Sequence, residues 1–360
     1  MLYSCMPGYQ DAAKFMTDWW NGVEMPRPVL SINVPVSPDP DLLMKVPVIE
    51  GIFCPPYTTK NLEYRLAREN NRIISFKYFA EAMAVASPVL GPGSLAMYLG
   101  GQPLENEETV WVNPWYKSIK DVELNFDEKN PIWKFQWDLT TRLAVLGRDR
   151  FLVRPSDMLD GLDVLSEMLG PEQLLLDLMD YPEIVMEKSD ALTRLYLQLF
   201  NREHEAIKDK LGGSHYLFWS PGRMYRGQCD FSAMLSPQMF RTYALPGINE
   251  IMETMDHVIY HWDGPGALCH LDALLETKKL EVLQWVPGAG NNPAIDKRWW
   301  PMYHKIFEAG KRIQLAGAFT VESLLPLKKE FRYNFYKFMT NMKGLNTEQE
   351  ALNAINELSA

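Results

Sequence analysis

A histidine and an aspartate two positions apart, His261 and Asp263, end an apolar run that is followed by Gly-Pro-Gly at 264–266. This pattern predicts a strand that ends in a tight turn. Successive side chains of a strand alternate between its faces, so His261 and Asp263 share one face and Trp262 points to the other. An imidazole beside a carboxylate can transfer a proton or bind a metal ion. The structural alternative is a hydrogen-bonded pair that only fixes the loop.

Further charged side chains fall in the glycine-rich segment 220–230, which we interpret as a loop that follows another strand. Asp230, at the end of this segment, is a second candidate acid for the same site, and the alternative is that it faces away. Arg223 and Arg226 could bind a carboxylate or phosphate group of a substrate, whereas exposed loop arginines are commonly only solvated.

Other side chains are weaker candidates for the same site. Gln284, in the predicted strand 281–286, would contact a substrate only if its face is the right one. Trp219 and Trp262 lie near predicted strand ends and could stack on a flat substrate, although core packing is the alternative for each. Glu81, in Phe-Ala-Glu-Ala, is either a buried catalytic acid or an ordinary helix residue.

The elements that must position these side chains alternate between strands and helices in the second half of the chain. Apolar periodicity and glycine breaks predict strands at 215–219, 258–262, 281–286 and 312–315, with helices at 237–255, 271–275 and 299–309 and a helical C-terminus. Four consecutive strand-then-helix units favour parallel pairing with right-handed crossovers. We therefore predict an α/β fold, a (β/α)8 TIM barrel with N-terminal additions, with its site at the C-terminal ends of the strands.

The first half of the chain is less regular. It is predicted to contain strands at 27–35, 109–112 and 151–153 and helices at 11–22, 61–86, 131–146, 159–169, 172–179 and 182–211. A proline-rich loop spans 35–56. Because barrels of this length are commonly single domains, we predict one domain over residues 1–360, with residues 1–60 as an N-terminal extension and loop.

Composition limits the function classes. A formal net charge of -10 argues against nucleic acid as the main partner, because phosphate binding requires basic patches. The sequence has no apolar run near the roughly 20 residues that cross a bilayer, and its N-terminus has no signal-peptide pattern. The four cysteines are widely separated and form no Cys-x-x-Cys pair. They are typical of reduced thiols, so we expect a cytoplasmic protein.

Three segments resemble the uroporphyrinogen decarboxylase superfamily. Residues 235–246, Leu-Ser-Pro-Gln-Met-Phe-Arg-Thr-Tyr-Ala-Leu-Pro, are similar to its "LSP..F..F.LP" signature, and 180–185, Asp-Tyr-Pro-Glu-Ile-Val, are similar to its "dnPe.v" segment. Residues 75–91 resemble its second strand–helix region. The resemblance covers most of the chain from about residue 60, and it implies a (β/α)8 barrel with a cleft at the C-terminal ends of the strands. It also implies a homodimer.

The superfamily includes two chemistries, and this sequence departs from one of them. The true decarboxylases carry an Arg-Gln-Ala-Gly-Arg segment after the first strand, whereas residues 31–41 here contain no arginine. An anionic tetrapyrrole would lack its bidentate partners. The decarboxylases also have a catalytic aspartate near the second strand, where the nearest acid here is Glu81. The resemblance therefore does not imply a true uroporphyrinogen decarboxylase.

The other chemistry is methyl transfer with a corrinoid, usually assisted by zinc. Those relatives have His-x-Cys where this chain has His261-Trp262-Asp263, and a further cysteine after the last strand, where residues 314–319 contain none. Histidine with a carboxylate can still bind zinc. The sequence thus predicts a methyltransferase that moves a methyl group between a methylated substrate, such as a methoxylated aromatic, and a corrinoid on a partner protein. A pattern Asp-x-His-x-x-Gly for a resident cobalamin does not occur in the sequence.

Two other hypotheses remain. One is a decarboxylase or other lyase that acts on a small carboxylic acid, with Asp230 and either Arg223 or Arg226 handling the carboxylates. The other is a non-catalytic binding barrel, which would be preferred if the cleft held no ionisable pair.

Overall fold

The strands of the protein form one large sheet and three small ones in the computed structural model, which describes residues 2–159 and 161–359. The strands are β1 (Val29–Pro35), β2 (Phe76–Ala80), β3 (Val85–Ala86), β4 (Pro103–Glu105), β5 (Val110–Val112), β6 (Leu152–Val153), β7 (Ser214–His215), β8 (Trp219–Ser220), β9 (Met224–Gln228), β10 (His257–Asp263), β11 (Val282–Val286), β12 (Arg312–Phe319) and β13 (Phe338–Met342).

The large sheet has the order β2-β1-β13-β12-β11-β10-β9. Across this sheet, the neighbouring strands β1, β13, β12, β11, β10 and β9 all pair in parallel. The edge strand β2 pairs antiparallel with β1. A separate parallel pair joins β3 and β6. The predicted α/β class with a central parallel sheet is confirmed. The closed eight-stranded barrel stays a prediction.

Helices lie before, between and after these strands. They are α1 (Tyr9–Trp20), α2 (Leu62–Ile74), α3 (Ser94–Tyr98), α4 (Pro131–Gly147), α5 (Gly161–Leu169), α6 (Pro171–Asp180), α7 (Pro182–Ile207), α8 (Pro237–Met239), α9 (Leu245–Glu253), α10 (Leu271–Glu276), α11 (Trp300–Glu308), α12 (Val321–Phe331) and α13 (Glu348–Ser359). A π-helical turn at Phe240–Ala244 joins α8 to α9. Within the described residues, no helix is long and apolar enough to cross a membrane.

The two faces of the sheet are covered differently. Tyr260, Trp262 and Trp285 belong to the apolar cluster that also contains the buried faces of α5, α7, α9 and α11. On the opposite face, which we call the inner face, Ile259 and Val282 near the amino ends of the strands pack in a second cluster with α1. Burial on both faces explains the nearly continuous apolar character of these strands.

Helix α1 covers the amino ends of the strands. The indole Nε1 of Trp20 donates to the carbonyl of Trp219 at 3.0 Å, and its ring lies 4.6 Å from that of His257 at the start of β10. The indole of Trp19 donates to the carbonyl of Tyr336 at 2.7 Å. The inner face is therefore closed by tryptophan at its amino end, whereas His261, Asp263 and Gln284 lie toward its carboxyl end.

Several predicted elements are wrong. The helix predicted at 61–86 ends at Ile74, because 76–80 alternates in side-chain direction and pairs with β1 as β2. The segment 220–230 contains the five-residue strand β9, so it is not a continuous loop. A Cβ at Gly227 would lie 2.7 Å from the Tyr225 ring, which explains a glycine inside this strand.

Other differences concern the type of element that a segment forms. The strand predicted at 215–219 is the antiparallel hairpin of β7 and β8. The C-terminal segment predicted as helical contains β13, which completes the parallel sheet against β1. The strand predicted at 27–35 is confirmed as β1, an internal strand of that sheet. The helix predicted at 159–169 includes Asp160, which lies outside the described residues.

Candidate active site

Three ionisable side chains meet at the carboxyl ends of β9 and β10. His261 and Asp263 project from β10 on the inner face, and Asp230 lies two residues beyond the end of β9. One ligand atom of each residue lies within 4.8 Å of the other two. We call Asp230, His261 and Asp263 the triad. Alternation along β10 puts two of its members on one face, and parallel pairing with β9 brings the third beside them.

The imidazole of His261 is held by a side chain from the neighbouring strand. Gln284 of β11 is the register partner of His261, and its Oε1 lies 2.5 Å from Nδ1 of the imidazole. An amide oxygen only accepts, so Nδ1 carries the proton of this bond and the lone pair of the neutral ring is at Nε2. Burial, and then the positive charge of Arg226, lower the pKa of His261. The ring is therefore neutral near pH 7 and able to bind a metal ion.

The two carboxylates of the triad differ in environment. Asp263 Oδ1 is buried without a hydrogen-bond partner. Burial raises the pKa of Asp263, although His261 opposes the shift. Asp230 is exposed on the open side of the site, and the protein atoms on its other sides raise its pKa by desolvation, which Arg226 opposes. An unsatisfied buried carboxylate oxygen costs free energy unless a ligand or cation contacts it.

The backbone around Asp230 is fixed from α5. Asp163 Oδ2 accepts from the backbone N–H of Asp230 at 2.9 Å, and its Oδ1 accepts from the N–H of Phe231 at 2.9 Å. These bonds hold the turn after β9 and so fix the direction in which the Asp230 carboxyl leaves the chain.

Of two arginines that the sequence places in one loop, one lies within β9 and the other precedes it. Arg226 is on the strand, and its Nη2 donates to Asp157 Oδ1 and to Gln228 Oε1, both at 2.6 Å. Its guanidinium is near enough to influence the triad. Arg223 precedes the strand, where its Nε lies 3.8 Å from Asp256 Oδ2 on the surface. Because Arg223 is at the amino end, it does not belong with the triad.

Glu81 is also remote from the triad. Both of its carboxylate oxygens bind Arg27, at 2.6 and 2.7 Å, and Oε2 also accepts from the N–H of Leu30 at 3.0 Å. Leu30 is the second residue of β1, so this ion pair lies at the amino end of the sheet. The predicted catalytic acid is a paired, buried group, since its acceptor sites are filled by protein donors.

The two predicted tryptophans do not reach the triad. Trp262 points to the helix layer, where its Nε1 donates to the carbonyl of Ala267 at 2.8 Å and its ring packs on that of Trp285 at 4.8 Å. Trp219 lies in the β8 hairpin, and its Nε1 donates to Asp209 Oδ2 at 2.5 Å. Both side chains are 1% exposed, so neither ring face is open to a substrate.

The sequence does not predict three side chains that lie near the triad. Gln228 on β9 is the register partner of His261. Arg154 and Asp157 follow β6 at its carboxyl end. The usable signal for Arg154 is its position directly after the apolar run 151–153, because residues after barrel strands commonly line sites. The contact of Asp157 with Arg226 joins residues 69 positions apart, which no local pattern predicts.

Comparison with known proteins gives a structural likeness only. No protein-family model matches the chain, and no curated protein matches it. The solved structure of a methyltransferase from Methanosarcina mazei is similar over 97% of this chain and 98% of that chain, with a TM-score of 0.60 and 12% sequence identity. At this identity the likeness shows a common fold over almost the full length of both chains.

Proposed function

We propose that the protein is a methyltransferase that moves a methyl group between a methylated small molecule and a corrinoid cofactor on a partner protein. The observation that carries the proposal is the convergence of Asp230, His261 and Asp263 at the carboxyl ends of parallel strands. The structural neighbour with a common fold is itself a methyltransferase, which supports this class of reaction. A methoxylated aromatic compound is our expected donor.

The proposal includes a metal ion, and the triad suits one. Zinc accepts imidazole nitrogen and carboxylate oxygen, and catalytic zinc sites combine three protein ligands with an open position. Here Nε2 of His261 has a free lone pair because Nδ1 faces Gln284. Asp263 Oδ1 is a buried acceptor without a partner. Asp230, reached by solvent, would supply the third ligand and leave the open position toward the substrate.

The residues of the chain have separate tasks in the proposed reaction. When bound, zinc supplies Lewis-acid chemistry that neutralises charge on the heteroatom from which the methyl group leaves. Gln284 orients the imidazole, and Asp163 fixes the turn that carries Asp230. For a methoxy donor, the C–O bond pair would stay on oxygen, which would take a proton from water at the open side of the site. The methyl group would pass to the corrinoid carried by the partner, whose cobalt(I) would supply the electron pair for the new bond.

The proposal also extends the observed sheet to a barrel. Eight strands, β1, β3, β6 and β9 to β13, follow one another along the chain and pair in parallel where they pair with each other. We propose that they form a (β/α)8 barrel whose mouth is at the triad, and that the protein forms a homodimer. The corrinoid protein would approach this mouth, since α1 covers the other end of the sheet.

Methyl transfer to free cobalt(I) cobalamin tests the proposal. A panel of methoxylated aromatics, methylamines and methyl thioethers is incubated with the protein, zinc and reduced cobalamin, and the visible absorbance of the cofactor is followed. We expect turnover with at least one donor, abolished in His261→Ala. Turnover that is equal in wild type and His261→Ala would contradict the proposed site, and no turnover across the panel would contradict the reaction.

A carboxy-lyase is the second candidate, because a guanidinium lies beside the triad. Arg226 is on the inner face two residues from Gln228, and a substrate carboxylate could bind it. Release of CO2 from small carboxylic acids in the absence of cobalamin separates this candidate from methyl transfer.

A further inference from the structure

A second charged cluster adjoins the triad, formed by Arg154, Asp157, Tyr216 and Arg226. Arg226 belongs to β9, and Arg154 and Asp157 follow β6. The side chains of Arg154, Asp157 and Arg226 are 20%, 16% and 11% exposed, so they are largely enclosed but still open to solvent. Gln228 links the two clusters, because its Oε1 accepts from Arg226 Nη2 at 2.6 Å and its Nε2 lies 3.5 Å from Asp230 Oδ2.

The tyrosine orders the two guanidinium groups. The guanidinium carbons of Arg154 and Arg226 lie 4.7 and 5.3 Å from the centroid of the Tyr216 ring. The hydroxyl of Tyr216 donates toward the carbonyl of Ser156 at 3.0 Å and Asp157 Oδ1 at 3.1 Å. A ring fixed at its hydroxyl gives both cations a rigid surface, which reduces the entropy lost when they bind a ligand.

The cluster has more guanidinium N–H donors than oxygen atoms that accept from them. Asp157 Oδ1 accepts from Arg226 at 2.6 Å, but Arg154 approaches Asp157 Oδ2 only to 4.0 Å, which is too long for a hydrogen bond. The Nε atoms of Arg154 and Arg226 are both buried without a partner. Within the described residues of this cluster, two guanidinium groups share one carboxylate, which leaves an excess of one positive charge before the neighbouring Asp230 is counted. The unpartnered Nε atoms can therefore accommodate one anion with two oxygen acceptors.

We propose that Arg154 and Arg226 bind the carboxylate of the substrate, which is therefore a carboxylic acid monoanion whose reacting end reaches the triad. Guanidinium groups bind carboxylates through paired N–H donors. One net positive charge balances a monoanion, and Asp230 and Asp263 on the adjoining side repel the second charge of a phosphate ester. The inference rests on the proposed function in that it takes the triad as the reacting centre.

Equilibrium binding tests this subsite separately from metal binding and methyl transfer. Benzoate, benzamide and phenyl phosphate are titrated calorimetrically into the full chain with EDTA present and without cobalamin. We expect benzoate to bind more tightly than either of the other probes. In Arg154→Gln its affinity should fall about tenfold or more, the usual loss for a hydrogen bond to a charged group. Arg154→Lys, which keeps the charge but not the paired donors, should lie between.

Arg223→Gln is the matched control, since this arginine lies at the opposite end of β9 beside Asp256. Its benzoate affinity should equal that of the wild type. Thermal unfolding of each variant verifies folding, and the contacts of Arg154 with other described residues are the 4.0 Å approach to Asp157 and the Tyr216 ring. Failure of benzoate to bind, equal binding in Arg154→Gln, or tighter binding of phenyl phosphate would each overturn the subsite. Absent methyl transfer with intact benzoate binding would overturn only the proposed reaction.

Discussion

Nδ1 of His261 and Oε1 of Gln284 lie 2.5 Å apart across two adjacent parallel strands. This contact decides which nitrogen of the imidazole is available at the mouth of the site, because the other is committed to the amide. A ligand histidine that is oriented by a second side chain binds metal more tightly than a free one. The relationship links strand register to the chemistry that the site can perform.

Removing the histidine should remove the metal. We expect purified wild type, dialysed against zinc, to retain about one zinc per chain, as three-ligand sites do, and His261→Ala to retain little. Elemental analysis measures both. His304→Ala is the control, because His304 is exposed and paired with Glu330 on α12. Equal zinc in wild type and His261→Ala would exclude His261 as a ligand.

Replacing Gln284 should weaken the site without removing a ligand. In Gln284→Leu the imidazole loses its acceptor, and we expect zinc affinity to fall by about 10–100-fold, the usual effect of losing such a partner. Competition with a chromophoric chelator measures the affinity. Gln314→Leu is the matched control, since Gln314 is the register partner of Gln284 on β12 and donates to the carbonyl of Leu315. Similar losses in both variants would show a general effect of the sheet.

Glu81 should matter for stability and not for the site. Glu81→Ala leaves Arg27 as an uncompensated buried charge, which typically costs about 3–5 kcal/mol. Chemical unfolding followed by tryptophan fluorescence measures this loss. The double variant Arg27→Met/Glu81→Leu should recover most of it. Zinc affinity should remain that of the wild type in both, and a selective loss of zinc with unchanged stability would restore Glu81 to the site.

The pH dependence of stability should reveal the titration of Glu167, whose Oε2 is buried without a hydrogen-bond partner among the described residues. Burial and then Asp163 and Asp230 raise its pKa from 4.5 to about 9. Between these two pKa values the folded protein holds a proton on Glu167 that the unfolded chain releases, so the free energy of unfolding falls as pH rises. The contribution of Glu167 to stability is therefore complete below pH 4.5 and is lost as pH rises toward 9.

Glu167→Gln should therefore melt higher than wild type at pH 8.5, by about 2 °C or more if roughly 1 kcal/mol is recovered. The difference should shrink toward pH 5. Scanning calorimetry across this range measures it, and Glu308→Gln, at an exposed position at the end of α11, should show no such trend. A melting difference that does not change with pH would exclude Glu167 as the titrating group.

The sequence predicts the parts of the fold that depend on local pattern. The alternation in β10 predicts the shared face of His261 and Asp263, and the strand–helix order predicts the parallel sheet. It fails at β2, where pairing with β1 overrides the helical pattern. It also fails at Arg223, because the unrecognised strand β9 contains Arg226 but begins only after Arg223. Glu81 fails for another reason, because its partner Arg27 is 54 residues away in sequence.

Two residues of the site, His261 and Asp263, alternate along β10, so the site is sensitive to a one-residue shift in the register of this strand. Inserting or deleting a single residue between the amino end of β10 and His261 would reverse the direction of every later side chain. Trp262 would then turn toward the polar mouth, and the imidazole and carboxylate would enter the apolar helix layer. A single-residue insertion or deletion in β10 should therefore abolish function far more often than one in a loop. A two-residue change would keep His261 and Asp263 on the inner face.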